Sequence, residues 1–90
     1  MNDDLDTEEP IEGHIVHGKV VGHHRWGIDL ELEEAAVVGT VDIMWLDEDP
    51  ANMNPDRFPP IGTRLTAKVL GYMPNGQLRL STRKADLPPT

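Results

Sequence analysis

The chain contains no cysteine, which excludes disulfide bonds, cysteine-ligated zinc and thiol catalysis together. This composition is compatible with a reducing cytoplasm. No stretch approaches the run of about 18 apolar residues that a membrane span requires. The first residues are acidic and polar, which is not the pattern of a signal peptide. The sequence therefore predicts a cytoplasmic protein with no membrane partner.

Basic residues are also scarce, because 8 Lys and Arg stand against 16 Asp and Glu, for a net charge of −8. Six of the acids lie in residues 1–12, which contain no base, and the other 78 residues carry a balance of −2. We expect residues 1–12 to be a disordered acidic tail. It would act as a solubilising segment or as a nucleic-acid mimic that folds over the basic residues of the domain. The body lacks the strongly basic surface typical of tight nucleic-acid binders.

Alternating apolar and polar residues predict an all-β fold of five short strands. The expected strands are residues 14–24, 26–32, 37–43, 63–72 and 77–82. Residues 44–62 make the long connection, with a short helical turn at 44–47 and Phe58 as the anchor that pins the loop to the body. This pattern favours a small closed barrel, an OB-fold, over residues 13–84, with a C-terminal tail at 85–90.

Several short motifs occur along these strands in a recognisable order. They are Gly18 and Val20 in the first strand, Trp26-Gly27 at the start of the second, residues 39–43 in the third and residues 78–83 in the last. In this order and at this spacing they resemble the RNA-binding domain family of ribosomal protein S-one, whose fold is an OB-fold. The resemblance implies a five-stranded barrel and RNA as the ligand.

The RNA-binding face of that family uses two aromatic residues, a histidine, and an acidic and a basic residue near the last turn. The resemblance places Trp26 at the first aromatic position. The other positions hold Asp29, Asp42, Met73 and Gln77. Carboxylates repel phosphate, and a lost stacking ring forfeits about 1–3 kcal/mol. The resemblance therefore implies RNA binding that is weakened, moved to another face or lost.

Trp26 is the leading candidate for a binding residue. Strict alternation places it inside the barrel with Ile28, whereas a bulge at Gly27 would turn it outward as a stacking platform, and both positions stay open. The candidate phosphate contacts are Lys19, Arg25, Arg64, Lys68, Arg79 and Arg83. Those from the last two strands and the barrel exit would form one modest basic stripe, unless they pair with Asp29, Glu31 and Asp42.

Neither metal binding nor catalysis is expected. The histidines at 14, 17, 23 and 24 point in different directions along a strand and do not complete a zinc site, and His23 is expected to be a partly buried neutral imidazole. The acids at 47–49 do not fit a calcium loop. No nucleophile motif or phosphate-binding loop is present, so we expect no cofactor and no enzyme.

Two functional hypotheses follow. The first is a noncatalytic, weak RNA or single-stranded nucleic-acid binding module, in which Trp26 stacks a base and the basic residues contact phosphates. The alternative is a protein-interaction adaptor on an OB-fold that has lost RNA binding, with an acidic surface turned toward a basic protein partner. That surface would consist of Asp29, Asp42, Trp45, Asp47, Glu48 and Asp49. Trp45 would be a hot spot there if it is not simply a packing residue.

Overall fold

The alternating sequence forms five strands within residues 10–89, the part of the chain that the computed structural model describes. They are β1 (Ile15–His24), β2 (Gly27–Leu32), β3 (Val38–Asp42), β4 (Arg64–Tyr72) and β5 (Leu78–Ser81). Each lies within the strand predicted at that place and is shorter by one residue at one or both ends. The predicted all-β fold is confirmed.

The strands close into a barrel in the order β1-β2-β3-β5-β4, and β4 pairs back onto β1. Neighbouring strands are antiparallel except for β3 and β5, which run parallel where Gly39 meets Leu78 and Thr40 meets Arg79. A side chain at position 39 would come within 2.6 Å of the Leu80 side chain, so a glycine there lets β3 approach β5. This is the OB-fold topology, and it leaves each of the described strands paired on both sides.

The inner faces of the strands supply a core made mostly of aliphatic side chains. Its most deeply buried members are Val20, Ile28, Leu30, Val41, Ala67, Val69 and Leu80. Phe58 is buried beside them and pins the long loop to the barrel, as predicted. Because the alternating residues of a closed barrel point either into this core or to the outside, the polar partners of these residues form the outer surface.

The long connection between β3 and β4 contains three short 3-10 turns, at Ile43–Trp45, Pro50–Asn52 and Pro55–Arg57. The first begins one residue before the predicted helical turn at 44–47 and ends earlier. Asp42 is the reason, because its carboxylate accepts a hydrogen bond from the Met44 amide at 3.0 Å and so caps the turn.

Both ends of the described chain are tied to the barrel. Pro10 is buried, and its carbonyl accepts a hydrogen bond of 2.9 Å from the Tyr72 hydroxyl. At the other end, the Ser81 hydroxyl donates to Asp86 at 2.6 Å, within the 3-10 turn Lys84–Asp86. Residues 1–9 of the predicted tail lie outside the described residues. No helix in the described part of the chain is both long and apolar enough to cross a membrane.

Candidate nucleic-acid interface

The connection between β1 and β2 places Trp26 on the outside of the barrel. His24 and Gly27 face each other in register, and Arg25 and Trp26 form the turn between them. Trp26 is 45% exposed. Of the two positions that the sequence left open for this indole, the structure has the outward one.

Gly27 makes the turn possible, although not through a bulge at that position. Its φ of 152° is one that other residues rarely adopt, and a Cβ at this position would overlap the carbonyl oxygen of Val41. The irregular register between β1 and β2 lies instead between Val20 and Gly22. Trp26 is therefore turned outward because it belongs to the turn, which a glycine holds tightly against β3.

Trp26 forms one wall of a cleft of about 330 Å³. The other walls come from β3 and the 3-10 turn after it, from the β4–β5 connection and from β5, which meet here because β3 lies between β2 and β5. The lining residues are Trp26, Thr40, Asp42, Trp45, Met73, Gln77, Arg79 and Leu80. The cleft thus combines two indoles, a thioether and an aliphatic side chain with a small number of polar groups.

Asp42 and Arg79 are the charged residues among those that line the cleft. The carboxylate of Asp42 is partly engaged by the Met44 amide, as described above. Arg79 is half-buried and lies on the strand between Thr40 of β3 and Gly71 of β4. The cleft therefore contains one cation and one anion, rather than a continuous basic surface.

Asp29 lies beyond the cleft and is bound by a histidine. Nε2 of His24 lies 2.7 Å from Oδ2 of Asp29, and the imidazole of His24 stacks on the indole of Trp26. The ring centroids are 4.5 Å apart, and the ring planes differ by 3°. Asp29 therefore pairs with a histidine and not with a lysine or arginine, since it lies opposite Gly22 in register and His24 is two residues further along β1.

His23 also differs from the expectation of a partly buried imidazole, because it is exposed. Its Nε2 lies 2.6 Å from the carbonyl oxygen of Pro59, and its ring meets the edge of Phe58 at 5.8 Å. His23 thus holds the end of the long loop against β1. Among residues 10–89, no three histidine or carboxylate side chains come together as a metal-binding group.

Some of the predicted phosphate contacts lie near the cleft. Arg79 lines it, and Arg25 is exposed next to Trp26 in the same turn. The guanidinium of Arg83 lies 5.2 Å from the ring centroid of Trp45, which lines the cleft, and makes a cation–π contact with it. Lys68 lies on the outer face of β4, where it pairs in register with Ile15 and Ser81.

Arg64 of the proposed basic stripe lies away from the cleft, next to Lys19. They face each other on β4 and β1, and Arg64 is seven residues, or about 23 Å, along β4 from the residue that pairs with Arg79. Arg64 binds both carboxylate oxygens of Glu33, at 2.6 and 3.2 Å. These hydrogen bonds hold the pKa of Glu33 below its usual value. Glu33 is not one of the partners that the sequence predicted.

The acidic cluster at 47–49 has an internal role in the loop. Asp47 accepts a hydrogen bond from the Asp49 amide at 2.8 Å, and Asp49 accepts one from the Ala51 amide at 2.9 Å. Glu48 accepts from the amides of Ala85 and Lys84, at 2.6 and 3.1 Å, and these bonds lower its pKa. These carboxylates order the loop and attach it to the C-terminal turn.

Two residues of the alternative protein-binding surface, Trp45 and Asp42, lie in the cleft with Trp26. Nothing in the sequence pattern indicated that the two tryptophans would lie together, since they are 19 positions apart and follow different strands. Thr40 and Asp42 alternate with Val41 along β3, and this alternation is the signal that could have assigned Thr40 to the cleft. His24 was missed as a neighbour of Trp26, although their i, i+2 spacing across the turn could have suggested it.

Comparisons with known proteins support the fold. No family model and no curated protein matches the sequence. The chain is similar to the solution structure of GSP13 from Bacillus subtilis, with a TM-score of 0.76 and 24% identity over 93% of this chain and 64% of that one. It is also similar to a chain of the a/eIF2alpha–aDim2p–rRNA complex from Pyrococcus horikoshii, with a TM-score of 0.75 and 29% identity over 86% of this chain and 46% of that one.

A third similar structure is the intact alpha subunit of aIF2 from Pyrococcus abyssi, with a TM-score of 0.74 and 29% identity over 86% of this chain and 30% of that one. The chain therefore spans between about a third and two thirds of the length of these three proteins. It corresponds to one domain-sized part of them.

Proposed function

We propose that this chain is a noncatalytic domain of the S-one type that binds single-stranded RNA in the cleft beside Trp26. The observation that carries the proposal is the exposed indole of Trp26 in a cleft that also contains Arg79. Aromatic rings that stack on bases, together with cations that contact the backbone, are the usual means by which OB-folds bind single strands.

The resemblance in the sequence and the geometry of the cleft support the proposal independently. Trp26, Asp42, Met73 and Gln77 occupy four of the positions that the resemblance assigned to an RNA-binding face, and all four line the cleft. One of the similar structures is a complex that contains rRNA. OB-folds commonly bind oligonucleotides on the face of their second and third strands and on the loops beside it, and the cleft includes residues of β3 and of the β1–β2 and β4–β5 connections.

In the proposed complex, a base stacks on the free face of Trp26, and its backbone phosphate contacts Arg79. Arg25, in the same turn as Trp26, is placed to contact a neighbouring phosphate. Asp42 opposes this contact because its carboxylate lies in the same cleft as Arg79. We therefore infer weak binding that depends mainly on stacking and releases few counterions.

The first test is the substitution Trp26→Ala, with labelled single-stranded RNA titrated at low salt. Loss of the ring should reduce affinity by about 5- to 150-fold, the equivalent of 1–3 kcal/mol for one stacked base. Fluorescence anisotropy of the RNA gives the affinity, and quenching of tryptophan emission reports the stacking. Trp26→Phe is the matched control and should keep most of the affinity, since it keeps an aromatic ring.

Two outcomes would count against the proposal. Binding by Trp26→Ala that equals that of the wild type and vanishes with salt would indicate electrostatic attraction without stacking. An absence of binding at about 100 μM wild-type protein would eliminate RNA as the ligand. That second outcome would favour the alternative hypothesis of a basic protein partner.

A further inference from the structure

We infer that His24 and Trp26 form one preorganised stacking platform, in which Asp29 is the positioning residue. This inference rests on the proposed function, since the platform is the surface on which a base of single-stranded RNA would stack. It changes the role of Asp29, which the resemblance to the S-one family treats as a lost aromatic ring. The second ring is present, but it comes from β1 instead of β2.

The stack of the two rings is set by the turn. His24 and Trp26 are separated by one residue, and the residue opposite His24 in register is Gly27, which has no side chain. The imidazole of His24 lies flat against the indole of Trp26, with ring centroids 4.5 Å apart and planes within 3°. Parallel contact at this distance is one of the favourable arrangements of aromatic rings.

Asp29 fixes the imidazole in that orientation. Its carboxylate leans across β1 over Gly22, since a Cβ at Gly22 would lie only 2.8 Å from Oδ2 of Asp29. The same oxygen lies 2.7 Å from Nε2 of His24. The absence of a side chain at Gly22 thus leaves room for a chain of contacts that runs from Asp29 through His24 to Trp26. The side chain of Asp29 is only 25% exposed, which keeps the pair partly shielded from water.

This arrangement leaves one face of the Trp26 indole for a single base. The imidazole covers one face of the indole, while Trp26 remains 45% exposed and lines the cleft. A base on the opposite face would complete a stack of three rings. Because an ordered side chain loses less rotamer freedom on binding, a fixed indole binds more tightly than a mobile one. Asp29 then increases affinity through His24, even though its charge is of the wrong sign to attract phosphate.

The experiment is a double-mutant cycle on positions 24 and 29, read by the affinity for labelled single-stranded RNA. His24→Ala should weaken binding by about 2- to 10-fold, the range for one aromatic pair. His24→Phe should restore part of the loss, since it replaces the ring without the hydrogen bond that orients it. Asp29→Asn keeps an acceptor for Nε2 and should remain close to the wild type.

Asp29→Ala is the most informative variant, because the two explanations of Asp29 predict opposite changes in RNA affinity. A positioning role predicts weaker binding when His24 is present, and no loss in the His24→Phe background, where Asp29 has nothing to orient. A carboxylate that only repels phosphate predicts tighter binding in both backgrounds. Tighter binding by His24→Ala would also refute the inference, since it would mean that the imidazole occupies the face that the base needs.

A second measurement needs no RNA and separates this inference from the proposed function. In NMR spectra, the ring protons of His24 should be shifted by the ring current of Trp26, and Trp26→Ala should remove that shift. Asp29→Ala should reduce it, and Asp29→Asn should not. If the shift behaves in this way but Trp26→Ala leaves RNA affinity unchanged, the proposed function is wrong. If Trp26→Ala weakens binding and His24→Ala does not, only the platform is refuted.

Discussion

Arg79 is the residue on which the electrostatic part of the proposed interface depends. It is the cation among the residues that line the cleft, and its half-buried position between β3 and β4 limits the conformations of its side chain. Each phosphate contact with a single strand contributes about −0.7 to the slope of log affinity against log salt concentration. An interface with one or two such contacts should therefore show only a shallow salt dependence.

We predict that Arg79→Ala reduces the magnitude of this slope by about 0.7 and leaves the stacking signal of Trp26 in place. The measurement is a series of RNA titrations between low and physiological salt. Arg64→Ala is the matched control, since Arg64 carries the same charge on the same sheet but is bound to Glu33 and lies far from the cleft. If Arg64→Ala changes the slope more than Arg79→Ala does, the RNA follows a different face of the barrel.

The strands could be predicted because a closed barrel buries one face of each of them. In β2, for example, Ile28, Leu30 and Leu32 alternate with acids, and only one register buries all three. The contacts on the outer face could not be predicted in the same way. Whether Asp29 meets an arginine or His24 depends on strand register and on the space above Gly22, and neither leaves a periodic signal in the sequence.

For the same reason, the residues that line the cleft could be predicted only in part. The resemblance placed Trp26, Asp42, Met73 and Gln77 near one another, because a family pattern carries the order of the strands with it. It did not include Trp45, which follows β3 in a 3-10 turn whose cap is Asp42. A local capping contact therefore brings the second indole into the cleft, and alternation alone does not describe such turns.

The β1–β2 hairpin depends on Gly27 for a steric reason and a conformational one. A side chain there would overlap the Val41 carbonyl and would also have to adopt a φ of 152°. We predict that Gly27→Ala lowers the free energy of unfolding by about 3 kcal/mol or more, a large loss for so small a domain. Urea denaturation followed by circular dichroism measures it.

Gly76→Ala is the control for this substitution. Gly76 also has a positive φ, of 88°, but a Cβ there would meet no atom within 4 Å. It should cost about 1–2 kcal/mol, the conformational penalty alone. Equal losses for the two variants would show that β3 moves away from the added methyl group, and that the contact between Gly27 and Val41 does not hold the turn.

The net charge of the whole molecule is negative and therefore disfavours the binding of RNA. The chain has a net charge of −8, and five of its acids and none of its bases lie in residues 1–9. This segment joins the barrel at Pro10, whose carbonyl is bound by Tyr72 at the end of β4. The preceding residue, Gly71, pairs in register with Arg79 of the cleft. The point where the acidic segment joins the barrel is therefore bound to the end of the strand that pairs with Arg79.

We predict that deletion of residues 1–9, which leaves a net charge of −3, raises the affinity for single-stranded RNA at low salt by about 3- to 10-fold. The gain should shrink toward none at 1 M salt, where charges about 3 Å apart are already screened. A full-length variant with Asn and Gln in place of the five acids is the matched control. This variant should bind RNA like the deletion variant if charge is the cause, and like the wild type if the segment acts by steric exclusion.

Unchanged affinity for both variants at low salt would show that the acidic segment has no influence on the cleft and serves another purpose, such as solubility.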